Sequence, residues 1–319
     1  MRTSIRLMAA IAALAVALTA AVGTADAAKP TLGIADQKPD TFTNPFYTGL
    51  KIKRTRIVVP WDAGLRADAN LDQLLGRIRA AKLEPLVHFG KNCAGRNCEL
   101  PSVKRYVKAF RAFHKRYGFV KVFGVWNEEN HGDQPTHTNK GAKRAAEYYN
   151  AVRKECGKCT FVAADVLDTG NLKGWFKTFR KTAKNPKVIG LHNYRDVNTS
   201  STKGTRQLFA LLKNARGKVT SDVWMTETGG LYFFQTGKGK VQYKESEARQ
   251  RKAIKFTLAL PGMKEFQGRI KRVYLYHWRS DGSPAQGVRF DAGLLRADGT
   301  PRKAFAVVKS SLKSGTFKR

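Results

Sequence analysis

Glu128 and Glu227 are the residues whose type and setting could do chemistry. Glu128 lies in Trp126-Asn127-Glu128-Glu129-Asn130, which stops the apolar run Val120-Lys-Val-Phe-Gly-Val125. Glu227 follows Val223-Trp-Met-Thr226 and precedes Thr-Gly-Gly230. A run such as VKVFGV reads as a strand buried on both faces, so the polar cluster that ends it has left the core for a place that tolerates charge. Two carboxyl groups at the ends of two buried strands suit cleavage of a glycosidic bond, which needs one on each side of the anomeric carbon.

Elements able to position such a pair recur along the chain. Apolar runs that read as buried strands cover Leu32–Ala35, Thr55–Pro60, Glu84–Phe89, Val120–Trp126, Thr160–Ala164, Val188–His192, Asp222–Thr226 and Arg272–His277. Between them, helix-period segments cover Leu71–Lys82, Val103–Tyr117, Ala142–Glu155, Leu172–Ala183, Thr205–Asn214, Glu245–Leu260 and, at the close, Lys303–Leu312. The stretch from Asp36 to Lys53, rich in Pro, Thr and aromatic residues, reads as an irregular connection. Strict alternation of eight strands with helices predicts an α/β fold, a single (β/α)8 TIM barrel over residues 28–319. An open dinucleotide-binding sheet lacks its G-x-G-x-x-G loop here. In a barrel the strand ends converge on one rim, and those ends carry Trp61-Asp62, His88, Asn127-Glu128, Asp165, His192-Asn193-Tyr194, Glu227 and Trp278.

Arg2 and Arg6, the apolar stretch Leu7–Leu18 and the small-residue site Ala25-Asp26-Ala27 read as a signal peptide over residues 1–27, so a secreted or extracytoplasmic location is expected. No later stretch is apolar enough to span a membrane, which predicts no stable insertion after cleavage. In that setting the four cysteines read as disulfides, with Cys93–Cys98 and Cys156–Cys159 the simplest of three connectivities. A zinc ion shared by both pairs would need them on one face, whereas one pair follows a strand and the other precedes one. Cys156-Gly-Lys-Cys159 has the spelling of a redox motif but follows a helix and precedes a strand, the reverse of the thioredoxin arrangement. No metal or cofactor is expected.

The 59 Lys plus Arg against 24 Asp plus Glu leave a net charge of +35, scattered along the chain. Such a field attracts polyanions in general, including acidic polysaccharide and cell-surface polymer. Nucleic acid is disfavoured, because no basic helix or aromatic-interleaved basic motif is present and export argues against it.

Trp126-Asn127-Glu128-x-Asn130 resembles the WNEPN motif of the retaining (β/α)8 glycoside hydrolases of clan A, and Met225-Thr226-Glu227 resembles the nucleophile strand of that clan. His192-x-Tyr194, Arg56 and Trp278 match further positions, with the family 39-like group closest. The resemblance implies Glu128 as acid/base, held protonated by repulsion from a nearby Glu227 that acts as nucleophile. It implies Asn127 on the sugar 2-hydroxyl, Tyr194 and Arg56 aiming Glu227 by hydrogen bond and positive charge, and His192 supporting the same network. His88, Trp61 and Trp278 are expected to bind or support substrate, the tryptophans by stacking on sugar rings. Glu129 departs from the motif, which has Pro there, and is expected to face the rim or solvent. A polysaccharide or glycoconjugate is the implied substrate. A non-catalytic carbohydrate- or polyanion-binding barrel, and a transglycosylase using the same two glutamates, are the competing readings.

Overall fold

Burial on both faces forces the apolar runs into parallel strands that pair side by side, and here they close on themselves. The computed structural model describes residues 28–94, 98–214 and 216–319. The expected signal peptide, residues 1–27, lies outside the described residues. The barrel strands are Thr31–Ala35, Arg54–Pro60, Glu84–Gly90, Val122–Gly124, Thr160–Leu167, Val188–His192, Asp222–Thr228 and Ile270–Tyr276. Each pairs in parallel with its sequence neighbours, and closure comes from the first pairing with the eighth, Thr31 opposite Arg272. The protein is therefore a (β/α)8 barrel, as the alternation predicts.

Helices cover the outside. Val103–Arg116 buries Tyr106, Ala109, Phe110 and Phe113, the i, i+3, i+4, i+7 spacing of one helix face. It starts where the Ser102 side chain accepts from Arg105 N. Asn139–Glu155 begins three residues before the expected Ala142, because Thr138 caps it by accepting from Gly141 N at 3.1 Å. The Asp36–Lys53 connection holds two short pieces, a 3₁₀ turn at Pro39–Thr43 and a helical turn at Pro45–Gly49.

Three departures matter for the site. The regular fourth strand is only Val122–Gly124, yet its chain runs on in extended contact, with Val125 N donating to Val162 O and Asn127 N to Phe89 O. The fifth strand runs on to Leu167, so Asp165 lies inside the barrel rather than at its end. Over the rim, Phe233–Gln235, Val241–Tyr243 and Phe290–Asp291 form a three-stranded antiparallel sheet. Its strands of two or three residues are too short to leave a period in the sequence.

The barrel interior is layered. Leu86, Val122, Val162, Val188, Trp224 and Tyr274 form a buried apolar cluster of their own. Two residues further along four of these strands come His88, Gly124, Gly190 and Thr226, and there the interior turns polar. Gly124 and Gly190 make room for that layer: a Cβ on Gly124 would fall 1.8 Å from the His88 ring, and one on Gly190 would fall 2.0 Å from Asp165 Oδ1.

Candidate active site

Arg56 is the hub of the polar layer. It leaves the second strand into the barrel and is 1% exposed. Its Nε donates to His88 Nδ1 at 3.0 Å, Nη1 to Glu227 Oε2 at 2.6 Å, and Nη2 to Asn127 Oδ1 at 2.6 Å and Asp165 Oδ2 at 3.1 Å. A fully buried guanidinium must be paired, and Asp165 and Glu227 supply the charges. Burial disfavours its charged form, but those two carboxylates outweigh burial and raise its pKa.

Asp165 is completely buried. Its Oδ1 accepts from the Thr226 hydroxyl, and its Oδ2 lies 2.9 Å from His192 Nε2. Burial pushes its proton affinity up, but His192, His88 and Arg56 together hold it far below the usual carboxylate range. His88 responds oppositely: burial, with Arg56 and His192 beside it, holds its pKa well below 6.5 despite Asp165. Its Nδ1 accepts from Arg56, and its Nε2 sits 3.1 Å from Asp165 Oδ2, off the line a hydrogen bond needs. Of the two roles expected for His88, binding or supporting substrate, its place beneath the site, wholly buried, is compatible with support and not with contact.

His192 ends the sixth strand and bridges two carboxyls, with Nε2 toward Asp165 and Nδ1 3.1 Å from Glu128 Oε1. Burial opposes its charge, but Asp165, Glu227 and Glu128 overcome burial and lift its pKa to about 10. An imidazole with a carboxylate at each nitrogen donates from both, so the resting state is an imidazolium. That overturns one expectation about Glu128. Burial raises its pKa, but the hydrogen bond and charge of His192, helped by His131, bring it below the ordinary value. The His192 contact at 3.1 Å, and not repulsion between carboxylates, sets that direction.

Local backbone geometry separates the two adjacent glutamates. Glu128 has φ of 53°, in the left-handed region that non-glycine residues seldom adopt, and its carbonyl accepts from His131 N at 2.8 Å. The chain turns back there, so Glu128 faces the pocket while Glu129 faces the fifth strand. Glu129 is 0% exposed, contrary to the expected rim position, and its Oε2 accepts from Asp165 N at 2.5 Å. Its Oε1 has no hydrogen-bond partner, and burial, with Asp165 nearby, raises its pKa well above the usual range. Glu129 is therefore a carboxyl buried inside the wall, where its neutral form is favoured.

Glu227 Oε1 accepts from the Tyr194 hydroxyl at 3.1 Å. Carboxylate oxygens of Glu128 and Glu227, with a His192 nitrogen, all lie within 4.8 Å of one another. The two glutamates open on a cavity of about 240 Å³ shared with Asp36, Arg56, Asn127 and Tyr276. Asp36 accepts from Trp278 N at 3.0 Å and Arg279 N at 3.2 Å, tying the end of the eighth strand to the first.

The two tryptophans expected to stack on sugar do not reach this cavity. Trp278, 1% exposed, packs edge-on against Tyr47 and Phe305, and Trp61, also 1% exposed, lies under Arg105. Tyr276, the last residue of the eighth strand, lines the cavity instead, whereas Trp278 lies beyond the strand's end. Phe290 of the rim sheet contacts Tyr194, Tyr276 and Phe234, continuing an aromatic wall. Within Tyr232-Phe233-Phe234, which follows the seventh strand, Phe234 joins that wall and Phe233 is buried. Asp165 and Tyr276 are the main residues without a role from sequence. A lone charge inside Phe161-Val-Ala-Ala-Asp-Val166 was the available signal for the first.

Both cysteine pairs form locally, as expected, Cys93–Cys98 on the site's rim and Cys156–Cys159 ahead of the fifth strand on the opposite rim. Among the described residues no helix is long and apolar enough to cross a membrane.

The barrel thus sets two facing carboxyls over a buried layer held by a cation. The chain belongs to the glycosyl hydrolase catalytic core family, whose model matches residues 105–307. No curated protein matches it in sequence. Among solved structures it resembles a family 39 glycoside hydrolase from Bacteroides cellulosilyticus WH2, at 16% identity and TM-score 0.60 over 90% of this chain. The chain spans 65% of that structure's length, and 50% of a β-D-glucuronidase for Dictyoglomus thermophilum, matched over 89% of this chain at 12% identity and TM-score 0.58. It also resembles GH5_18 from Streptomyces cattleya in complex with GlcNAc, at 14% identity and TM-score 0.62, over 91% of this chain and 82% of that one. At these identities the likeness is one of fold.

Proposed function

We propose that the protein is an exported retaining glycoside hydrolase that cleaves a polysaccharide or glycoconjugate through a glycosyl-enzyme intermediate, with Glu227 as nucleophile and Glu128 as acid/base. The observation that carries this reading is the approach of the two carboxyls, with oxygens within 4.8 Å. Retaining enzymes hold their carboxyl groups about 5–5.5 Å apart, and inverting ones leave room for a water between them.

The proton for the first step rests on His192. Moving it along the 3.1 Å hydrogen bond to Glu128 leaves a neutral imidazole and a carboxylic acid facing the glycosidic oxygen. A bound sugar excludes water from the cavity, which favours the neutral carboxyl. Glu128 then gives that proton to the leaving oxygen as Glu227 attacks the anomeric carbon. Arg56 and Tyr194 fix the two oxygens of Glu227, and Asn127, aimed by Arg56, faces the sugar 2-hydroxyl. In the second step Glu128 accepts a proton from the attacking water, the sugar is released with its configuration retained, and the proton returns to His192.

A cavity of about 240 Å³ lies below the usual ligand-pocket range of about 300–1,000 Å³, so it suits one sugar ring with the remaining glycan outside. The net charge of +35 favours anionic glycans on the approach. The test is a panel of neutral and acidic polysaccharides with the first-formed anomer followed by NMR. Retained configuration, lost in Glu227→Gln and Glu128→Gln variants that stay folded, is expected. Early inversion, or full activity in both variants, refutes the assignment.

A further inference from the structure

On the opposite rim from the active site, His114 stands over the Cys156–Cys159 disulfide. Its Nε2 lies 3.7 Å from Cys156 Sγ and 3.8 Å from Cys159 Sγ. The ring comes from the last turn of helix Val103–Arg116 and is held by Phe110, stacked at 5.9 Å, and Phe123, edge-on at 6.0 Å. The cysteines sit in the turn between helix Asn139–Glu155 and the fifth strand, closed by Cys159 N donating to Cys156 O. The glycosidase chemistry uses none of these groups.

We propose that His114, Cys156 and Cys159 form a redox-gated site for a thiophilic divalent cation of the zinc class, blocked while the sulfurs are joined and opened when a dithiol reduces them. The spacing supports it. With zinc–sulfur bonds of about 2.3 Å and zinc–nitrogen bonds of about 2.0–2.1 Å, tetrahedral geometry puts nitrogen and sulfur ligands about 3.6 Å apart. His114 already stands at nearly that separation from both sulfurs, and only the sulfur–sulfur edge has to open, to about 3.8 Å. A Cys-x2-Cys turn is a common way to present two thiolates to one zinc ion.

The chemistry balances. In exchange with an external dithiol, the Cys156–Cys159 bond breaks, each sulfur gains a hydrogen, and the dithiol leaves as its own disulfide. Metal binding then releases the two thiol protons to solvent while Nε2 donates its lone pair. Cys156 is 8% exposed and the other two ligands are half-buried, so water or a further donor completes the tetrahedron from outside.

The test uses the full-length chain with Cys93→Ser and Cys98→Ser, which removes the other pair as a competing ligand. Cobalt(II) is titrated into oxidised and dithiol-reduced protein and followed by absorption. The reduced protein is expected to take up one cobalt per chain, with thiolate charge-transfer bands and the strong visible bands of a tetrahedral site, and zinc should displace them. Adding His114→Ala, with unchanged circular dichroism in the oxidised state, should weaken binding by more than about tenfold. No tetrahedral signal after reduction, equal uptake by the oxidised form, or undiminished affinity in His114→Ala would each overturn the proposal.

Discussion

His192 Nδ1 lies 3.1 Å from Glu128 Oε1, so the proposed acid/base carboxyl and an imidazolium hold one proton between them. The pair loses that proton only as pH climbs toward about 10, where His192 titrates. The basic limb of kcat/KM is therefore expected well above neutrality. His192→Gln leaves Glu128 as the only carrier, and the limb should move down toward the carboxylate range with a fall in kcat. A pH profile of both proteins checks this, and an unmoved basic limb would show that His192 carries no proton for catalysis. Stability has a related sign. The folded-state pKa of His192 exceeds its unfolded value of about 6.5, so its stabilisation is complete below that pH and is lost as pH rises toward about 10.

Glu129 makes the opposite prediction to its neighbour. Its folded-state pKa is raised, so the folded chain holds the proton to higher pH than the unfolded chain, which ionises above about pH 4.3, and folding loses stability as pH rises past that value. Glu129→Gln keeps an acceptor for Asp165 N and removes the ionisable group. It should gain about 1 kcal/mol at pH 7, with the gain vanishing below pH ~4. Activity should be largely retained, in contrast to Glu128→Gln. Urea unfolding at the two pH values with parallel assays tests both halves, and loss of activity to the level of Glu128→Gln would reopen which glutamate is the acid.

Arg56 touches too many partners for any other residue to replace it. Lysine has no planar fork to reach His88, Glu227, Asn127 and Asp165 together, so Arg56→Lys should lose most of kcat while remaining folded. Arg56→Met strands Asp165 and Glu227 without their cation and should cost about 3–5 kcal/mol. Chemical denaturation separates these cases: a Met variant as stable as the parent would mean that the carboxylates find compensation elsewhere.

The barrel was legible in the sequence because buried parallel strands spell continuous apolar runs, and the pairing of Glu128 with Glu227 followed from where those runs stop. Depth inside the barrel was not legible. Asp165 was read as the end of its strand, but the strand extends to Leu167, and a side chain reachable only through the barrel wall marks no boundary in sequence. Trp278 reads as a sugar platform because it lies near a strand end, but the strand stops at Tyr276, and Asp36 fastens the Trp278 backbone amide with its ring packed against Tyr47 and Phe305. The charge of Glu128 depended on His192, a contact between residues 64 apart that no local pattern encodes.

Gly190 shows how strictly the polar layer is packed. It lies on the sixth strand opposite Asp165 on the fifth, and a Cβ there would sit 2.0 Å from Asp165 Oδ1 and 2.7 Å from Thr226 Oγ1. Both atoms belong to short, fully buried side chains, and Asp165 is also tethered to His192 and Arg56, so neither can yield freely. Gly190→Ala should therefore cost about 1–3 kcal/mol by overpacking. It should also reduce kcat, because displacing Asp165 takes with it the charge that holds His192 protonated. Gly76, on the exposed face of helix Ala69–Ala80 with nothing within 4 Å of a built Cβ, is the control. Gly76→Ala should stabilise by roughly 0.5–1 kcal/mol through helix propensity alone and leave activity unchanged. Thermal unfolding of both variants beside their pH profiles decides the matter: Gly190→Ala with parental stability and an unaltered basic limb would show that the glycine is not what keeps Asp165 seated against His192.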